Sequence, residues 1–344
     1  MKVLVALSGG SKSLVTAWLL KKQGFQVRGI HFDRDDSEQT VERFQDLERK
    51  LGIQIQVIPV REDWTRIARE EYARSRAEGY RFRLKNRFHS ILVFPSLLSA
   101  AAQLKMDRIA GGYGVTLQED PSANLMRVIY GTGATLEAVL LLGGLGQNEL
   151  SRMMLPVGSI PASMLEKISL EVAPEEQTRV FDRDWSVIES EFETAENRAD
   201  TMFKVVSETD LPLGTGMAHL FETGGFWRPP EVPEKVYRVN AIFRAQSTVE
   251  VREDPEAAIR ELHLQDAYWF VRADPRMKPI RTGLMLEGLK KPLPVTLIQY
   301  EGRRMKAILE EPARVSTTPL EKGQGVLWME GPEVIGGARV MVMR

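Results

Sequence analysis

The sequence predicts an α/β protein: a parallel sheet covered by helices, then a helical extension, then small β-domains. Three observations predict it. Strand-like and helix-like segments alternate through the first 115 residues. After about Gly131 the pattern turns helical. From about Pro212 the chain becomes rich in glycine, proline and short β-type runs.

Taken in order, Lys2–Leu7 reads as a buried strand, and Ser13–Gln23 as a helix stopped by Gly24. Val27–Phe32 is a second strand, and Ser37–Leu51 a charged amphipathic helix ended by Gly52. Ile53–Val60 is a third strand, followed by helices over Glu62–Glu78 and Ile91–Leu104 and a fourth strand over Arg108–Gly112. Ala134–Leu142, Gln147–Met154 and Pro161–Glu171 are expected to be helical. The later strand expectations are Val236–Phe243, Thr248–Val251, Tyr268–Arg272, Val295–Tyr300, Arg304–Leu309, Gly325–Met329 and Gly337–Met343. Pro229 to Pro233 reads as a rigid connector.

Composition excludes whole classes of chemistry. The chain holds 0 cysteines, so it has no disulfide, thiolate zinc site, iron–sulfur cluster or thiol nucleophile of its own. Its four histidines, His31, His89, His219 and His263, are never three to five residues apart, which removes the helical histidine metal motif. The net charge of −1 does not indicate a globally basic nucleic-acid binder, though a local patch stays open. No apolar run is long enough for a signal or a membrane span, so the expectation is a soluble cytoplasmic protein with no membrane partner.

Ser8-Gly9-Gly10-Ser11-Lys12-Ser13 lies between the first strand and first helix, where α/β sheets bind ligands. Glycines let the backbone approach a ligand, and the helix N-terminus offers N–H groups and partial positive charge to phosphate. The spacing is not that of a Walker A loop. A tight turn capped by Ser13 explains the same residues equally well.

This loop resembles the S-G-G-x-D-S loop of the ATP-pyrophosphatase (PP-loop) superfamily. The rest of the chain is most similar to its tRNA-specific 2-thiouridylase (MnmA) family. Gly111-Gly112-Tyr113-Gly114 falls where that family has G-H-Y-A. Leu145-Gly146-Gln147 and Leu155-Pro156-Val157-Gly158 match its L-S-Q and F-P-L-G segments. Glu311 to Val315, Thr318-Pro319, Gly323-Gln324, Gly331 and Gly336-Gly337 follow its C-terminal β-domain. Residues 205–260 match less well, and Gly214 to His219 is the nearest counterpart of a Y-T-I-G-Q-R segment. The resemblance implies a PP-loop domain over 1–130, a helical extension over 131–204, a central β-domain over 205–270 and a C-terminal β-barrel over 271–344.

It also implies ATP-dependent adenylation of a tRNA uridine, then sulfur delivery by a cysteine persulfide with a second cysteine completing the exchange. Ser8, Gly9, Gly10, Lys12 and Ser13 would then bind the nucleotide, ATP with magnesium. The residues that carry sulfur are absent. Phe88 and Ser186 occupy the two cysteine positions and Lys85 the neighbouring acidic one. Lys12 replaces the loop aspartate, Gly112 the histidine, and Glu137 aligns with the aspartate of D-Q-S. A phenylalanine cannot carry a persulfide, and a hydroxyl cannot replace a thiolate. The expectation is a thiouridylase-like protein without standard thiolation.

Arg74, Arg76, Arg81, Arg83, Lys85 and Arg87, interleaved with Tyr80, Phe82 and Phe88, suit phosphate contacts with stacking platforms for unpaired bases. Arg81, Arg83, Lys85 and Arg87 are the RNA-binding candidates, on one side of the chain if it is extended. The competing reading is a solvated helix face with the aromatics turned inward. His31 with Asp33, Asp35 and Asp36 reads as a solvated loop with a helix cap in preference to a magnesium site, so no metal ligand is assigned. His219 and His263 read as structural, and Trp227, Tyr268 and Trp269 as β-domain core. Three functions remain: an RNA- or partner-binding relative, an adenylating enzyme using an amine or free sulfide, and a subunit supporting an enzyme encoded elsewhere.

Overall fold

The computed structural model describes residues 1–131, 134–172, 185–196, 202–223, 225–271, 278–314 and 320–343. The expected α/β class holds. Strands β1 (Lys2–Ala6), β2 (Gln26–Asp33), β3 (Gln54–Pro59) and β4 (Arg108–Gly111) form a parallel sheet. The order is β3-β2-β1-β4, completed by a two-residue strand, Met153–Met154, beside β4. Val3, Leu4 and Val5 of the central strand are at most 1% exposed, which is why the run is apolar without alternation.

The helices follow their sequence signals. Helix α1 (Ser11–Lys22) starts at the glycine loop. Helix α2 (Glu38–Leu51) is capped by Ser37, whose hydroxyl accepts from the Thr40 N–H, and ends on Gly52 with φ 58°. Helix α3 (Arg61–Glu78) ends on Gly79 with φ 70°. The expected helix over Ile91–Leu104 begins earlier, as a short turn α4 (Lys85–Phe88), a π turn (His89–Val93) and α5 (Phe94–Gln103) in one continuous rod. Helices α6 (Leu136–Leu141), α7 (Gln147–Ser151), α8 (Ala162–Val172) and α9 (Trp185–Glu196) make up the extension.

Two further sheets follow. A five-stranded one contains Met202–Ser207, Pro212–Met217, Phe226–Trp227, Tyr237–Phe243 and Thr248–Glu253. The other contains Ala258–Trp269, Ile280–Met285, Leu293–Glu301, Arg304–Arg314, Gly325–Glu330 and Glu333–Met343. Its first and last strands pair, closing a six-stranded antiparallel barrel. Trp328, Leu262, Leu264 and Val340 are 0% exposed in the barrel core.

The strand expected at Tyr268–Arg272 begins ten residues earlier, at Ala258, and belongs to the barrel. Register shifts near Ile259, His263 and Gln265 break its alternation, and Asp266 takes φ 56°. A hairpin absent from the sequence expectations, Thr116–Asp120 with Leu125–Ile129, leaves the first sheet and pairs through Val128 and Ile129 with Val334 and Glu333 of the barrel. Arg127 clamps this junction, with Asp120 at 2.6 Å and Glu333 at 2.5 Å. Gln147, from the L-S-Q counterpart, also ties it: its Oε1 accepts from the Met126 N–H, and its Nε2 donates to the Met126 and Phe270 carbonyls.

Candidate functional site

The strand order reverses beside β1, between its neighbours β2 and β4, and the Ser8–Ser13 loop leaves the sheet at that point. Gly9 takes φ 84°, a conformation natural to glycine, and Gly10 caps α1 in an extended conformation. The Ser8 hydroxyl accepts from the Gly10 N–H at 3.2 Å and lies 3.1 Å from the Ser13 hydroxyl, which donates to the Gly10 carbonyl. The loop is therefore internally braced, while the first N–H groups of α1 remain outside the helix ladder. Both the phosphate cradle and the capped turn describe this geometry.

The loop forms one wall of a cavity of about 630 Å³. Ser8, Gly10, Lys12 and Ser13 line one side, and Lys85, His89, Tyr113, Glu137 and Trp185 the other. Lys12 is exposed and lines the cavity. Gly112 sits against the loop: a Cβ there would lie 2.5 Å from the Ser13 nitrogen and 2.7 Å from the Lys12 carbonyl carbon. The histidine of the G-H-Y-A pattern does not fit this backbone.

Phe88 and Ser186 are the residues expected at the two cysteine positions. Phe88 is 4% exposed and its ring centroid lies 5.7 Å from that of Trp185. Ser186 is the second residue of α9, next to Trp185, and Asp182 to Asp184 lie outside the described residues. Lys85 Nζ lies 2.9 Å from Glu137 Oε1. Glu189 accepts from the Leu84 and Lys85 N–H groups, and burial pushes its carboxyl pKa up.

The basic run divides. Residues 80–84 form no regular element, but their burial alternates, with Tyr80, Phe82 and Leu84 inward at no more than 2% exposed and Arg81 and Arg83 outward; Leu84 already takes the helical conformation that leads into α4. The aromatics are thus core, not stacking platforms. Lys85 and Arg87 lie on the helical turn that follows, so the alternation ends at Arg83. Arg87 approaches the buried Glu71 carboxylate at 3.8 Å. Glu71 also accepts from the Tyr80 hydroxyl at 2.9 Å and from Arg339 of the barrel at 3.1 Å. Arg74 bridges Glu78 and Asp266, and Arg76 meets His219. Much of this run therefore joins α3 to the β-domains.

His31 Nδ1 lies 2.7 Å from the Leu7 carbonyl and the ring stacks on Phe44, where burial lowers its pKa. Asp33 is 3% exposed and accepts from the Asp35 and Ser37 N–H groups, the loop-and-cap arrangement. His263 pairs with Glu261. Sequence reasoning gives no role to Trp185, Tyr113 or Glu189. Trp185 is adjacent to a motif position, but nothing in the local pattern brings it to α4.

A braced glycine loop at the switch point of a parallel sheet, opening on a polar and aromatic cavity, defines an α/β protein of the PP-loop class. The chain belongs to the tRNA methyl transferase HUP domain family, whose model matches residues 1–179, and is MnmA-like within it. It is 24% identical to the tRNA-specific 2-thiouridylase MnmA of Clostridioides difficile, over 98% of this chain and 97% of that protein. It is 29% identical to the MnmA of Leptothrix cholodnii over 50% of this chain, and the match spans about half, 47%, of that relative's length. Among solved structures it is similar to a 4-thiouridine synthetase–RNA complex with bound ATP, at 15% identity and a TM-score of 0.34, over 56% of this chain and 53% of that one.

Proposed function

We propose that this protein binds tRNA or another RNA, or a protein partner, in a thiouridylase-like frame that does not perform cysteine-persulfide thiolation. One observation carries the reading: the chain has 0 cysteines, and Phe88, expected at the first sulfur-carrier position, packs on Trp185. Arg81 and Arg83 are the outward cations of the basic run and supply phosphate contacts. Lys85 and Arg87 already face Glu137 and Glu71, so their share in RNA contact is smaller. A tRNA ligand suits a cytoplasmic protein, and no helix among the described residues is long and apolar enough to cross a membrane.

The loop fits a nucleotide phosphate. Ser8, Gly9, Gly10, Lys12 and Ser13 would hold it, the α1 N-terminus supplying N–H groups and Lys12 a point charge. Bound ATP with magnesium would supply an activated adenylyl group. Titration of the protein with tRNA tests the main reading. Binding should be in the low-micromolar range and weaken steeply between about 50 and 200 mM salt. Absence of salt-sensitive binding overturns it.

A second reading keeps adenylation and passes the activated substrate to an amine or free sulfide. It is favoured by the exposed Lys12 and the cavity that it lines. Pyrophosphate release from ATP in the presence of RNA supports it, and failure of ATP to bind at millimolar concentration ends it.

A further inference from the structure

His89 has a fixed orientation at the cavity wall. It opens the π turn His89–Val93, and such turns are frequent at functional sites. Its Nδ1 lies 2.9 Å from the Lys85 carbonyl. A carbonyl only accepts, so Nδ1 carries the hydrogen and Nε2 presents a bare lone pair. Among the described residues Nε2 has no hydrogen-bond partner. The ring is framed by Phe88, Phe94, Tyr113 and Trp185, with centroids 5.9–6.1 Å away. That setting keeps it neutral, with a pKa lowered to about 4 chiefly by burial.

The chemistry of a matching ligand follows. A bare lone pair repels phosphate or carboxylate oxygen and needs an N–H or O–H donor. Aromatic walls favour a flat ring. A neutral imidazole also ligates metals, but among the described residues no group of three His, Asp or Glu side chains could hold one. A nucleobase combines a flat ring with N–H donors on its edge.

We propose that His89 reads a nucleobase in this cavity, its Nε2 accepting a hydrogen bond from a base N–H held against the aromatic lining formed by Phe88, Tyr113 and Trp185. The proposal rests on the reading of the cavity as a nucleotide or RNA site. The base could belong to an RNA, offering a ring imide N–H, or to ATP, offering the adenine amine. Both present the same donor.

The test uses the full chain with UMP, 3-methyl-UMP, AMP and N6,N6-dimethyl-AMP, titrated calorimetrically against wild type, His89→Phe and His89→Gln. One parent nucleotide should bind about tenfold tighter than its methylated analogue, because methylation removes the donor and leaves Nε2 unpaired. Discrimination in the UMP arm identifies an RNA base, and in the AMP arm the adenine of ATP. His89→Phe keeps an aromatic ring and should bring the ratio close to one. His89→Gln restores an acceptor and should recover part of it. In nitrogen-15 spectra, the Nε2 signal should move with the parent nucleotide and stay put with the analogue, which a structural role would not produce. The proposal is overturned if neither parent binds at millimolar concentration, if both analogues bind like their parents, or if His89→Phe, folded by circular dichroism, still discriminates. Salt-sensitive tRNA binding without base discrimination would remove this proposal and leave the broader reading standing; the converse would do the reverse.

Discussion

Lys85 on α4 and Glu137 on α6 pair at the cavity wall, Nζ to Oε1 at 2.9 Å. They fall at two places where the resemblance to the thiouridylase pattern leads us to expect acidic side chains. Two carboxylates so placed would repel each other, and the lysine turns repulsion into a tether. Lys85 is 24% and Glu137 58% exposed, so solvent screens the pair. A double-mutant cycle of Lys85→Met and Glu137→Gln, read by urea denaturation, should give a coupling of about 0.5–1 kcal/mol.

Phe88, expected from the resemblance at the first cysteine position, is buried. It belongs to a cluster with Leu84, Leu92 and Val93. Phe88→Ala should cost about 3–5 kcal/mol through reduced burial and the void left behind, measured by chemical denaturation. A cost below about 1 kcal/mol would show that the side chain is loosely held.

Gly112 lets β4 and α1 approach closely. Gly112→His, the residue of the G-H-Y-A pattern, should lower the thermal midpoint, with a penalty of about 1–3 kcal/mol for backbone displacement. The nearest neighbours of a Cβ there are main-chain atoms of Lys12 and Ser13, which cannot swing aside. Unchanged stability would mean that the loop is free to move.

Arg81→Glu with Arg83→Glu should leave folding intact, because both side chains point outward. It should reduce the slope of log affinity against log salt for tRNA by about 0.7–0.9 for each phosphate that is no longer neutralised. An unchanged slope would place the RNA-binding surface elsewhere.

His89 and His219 both have pKa values lowered from 6.5 to about 4, His89 by burial and His219 by burial with Arg76 beside it. Between those values the unfolded chain binds more protons than the folded one only if its histidines keep the ordinary pKa, as solvent-exposed imidazoles do. Their contribution to stability is therefore complete above pH 6.5 and declines as pH falls toward 4. Each group contributes a slope of at most about 1.4 kcal/mol per pH unit. Denaturation curves across this range should show the decline, and His89→Phe should flatten it.

The first sheet was legible because its signals are local. Glycine stops, the Ser37 cap and the unbroken apolar run of β1 each act within a few residues. The hairpin at Thr116–Ile129 was not, because Val128 is its one fully buried side chain and its partner Val334 lies 206 residues away. The strand from Ala258 was hidden by its own bulges. In the site, the absence of thiols was readable from composition, and the glycine loop from its place between the first strand and first helix. The alternating arginines do lie outward as far as Arg83, but the inward burial of Tyr80 depends on Gly323 and Arg339 packing against it, and that of Phe82 on Tyr72 and on Phe192 of α9.

The pairing of Val128 and Ile129 with the barrel strand has a consequence for biosynthesis. During translation the hairpin leaves the ribosome roughly two hundred residues before its partner strand is made. Until then Val128 and Ile129 lie on an unpaired strand edge of the kind that recruits neighbouring chains. Maturation of the nascent protein thus waits on the strand Glu333–Met343, and a transcript truncated before it would yield an aggregation-prone fragment in place of a working half.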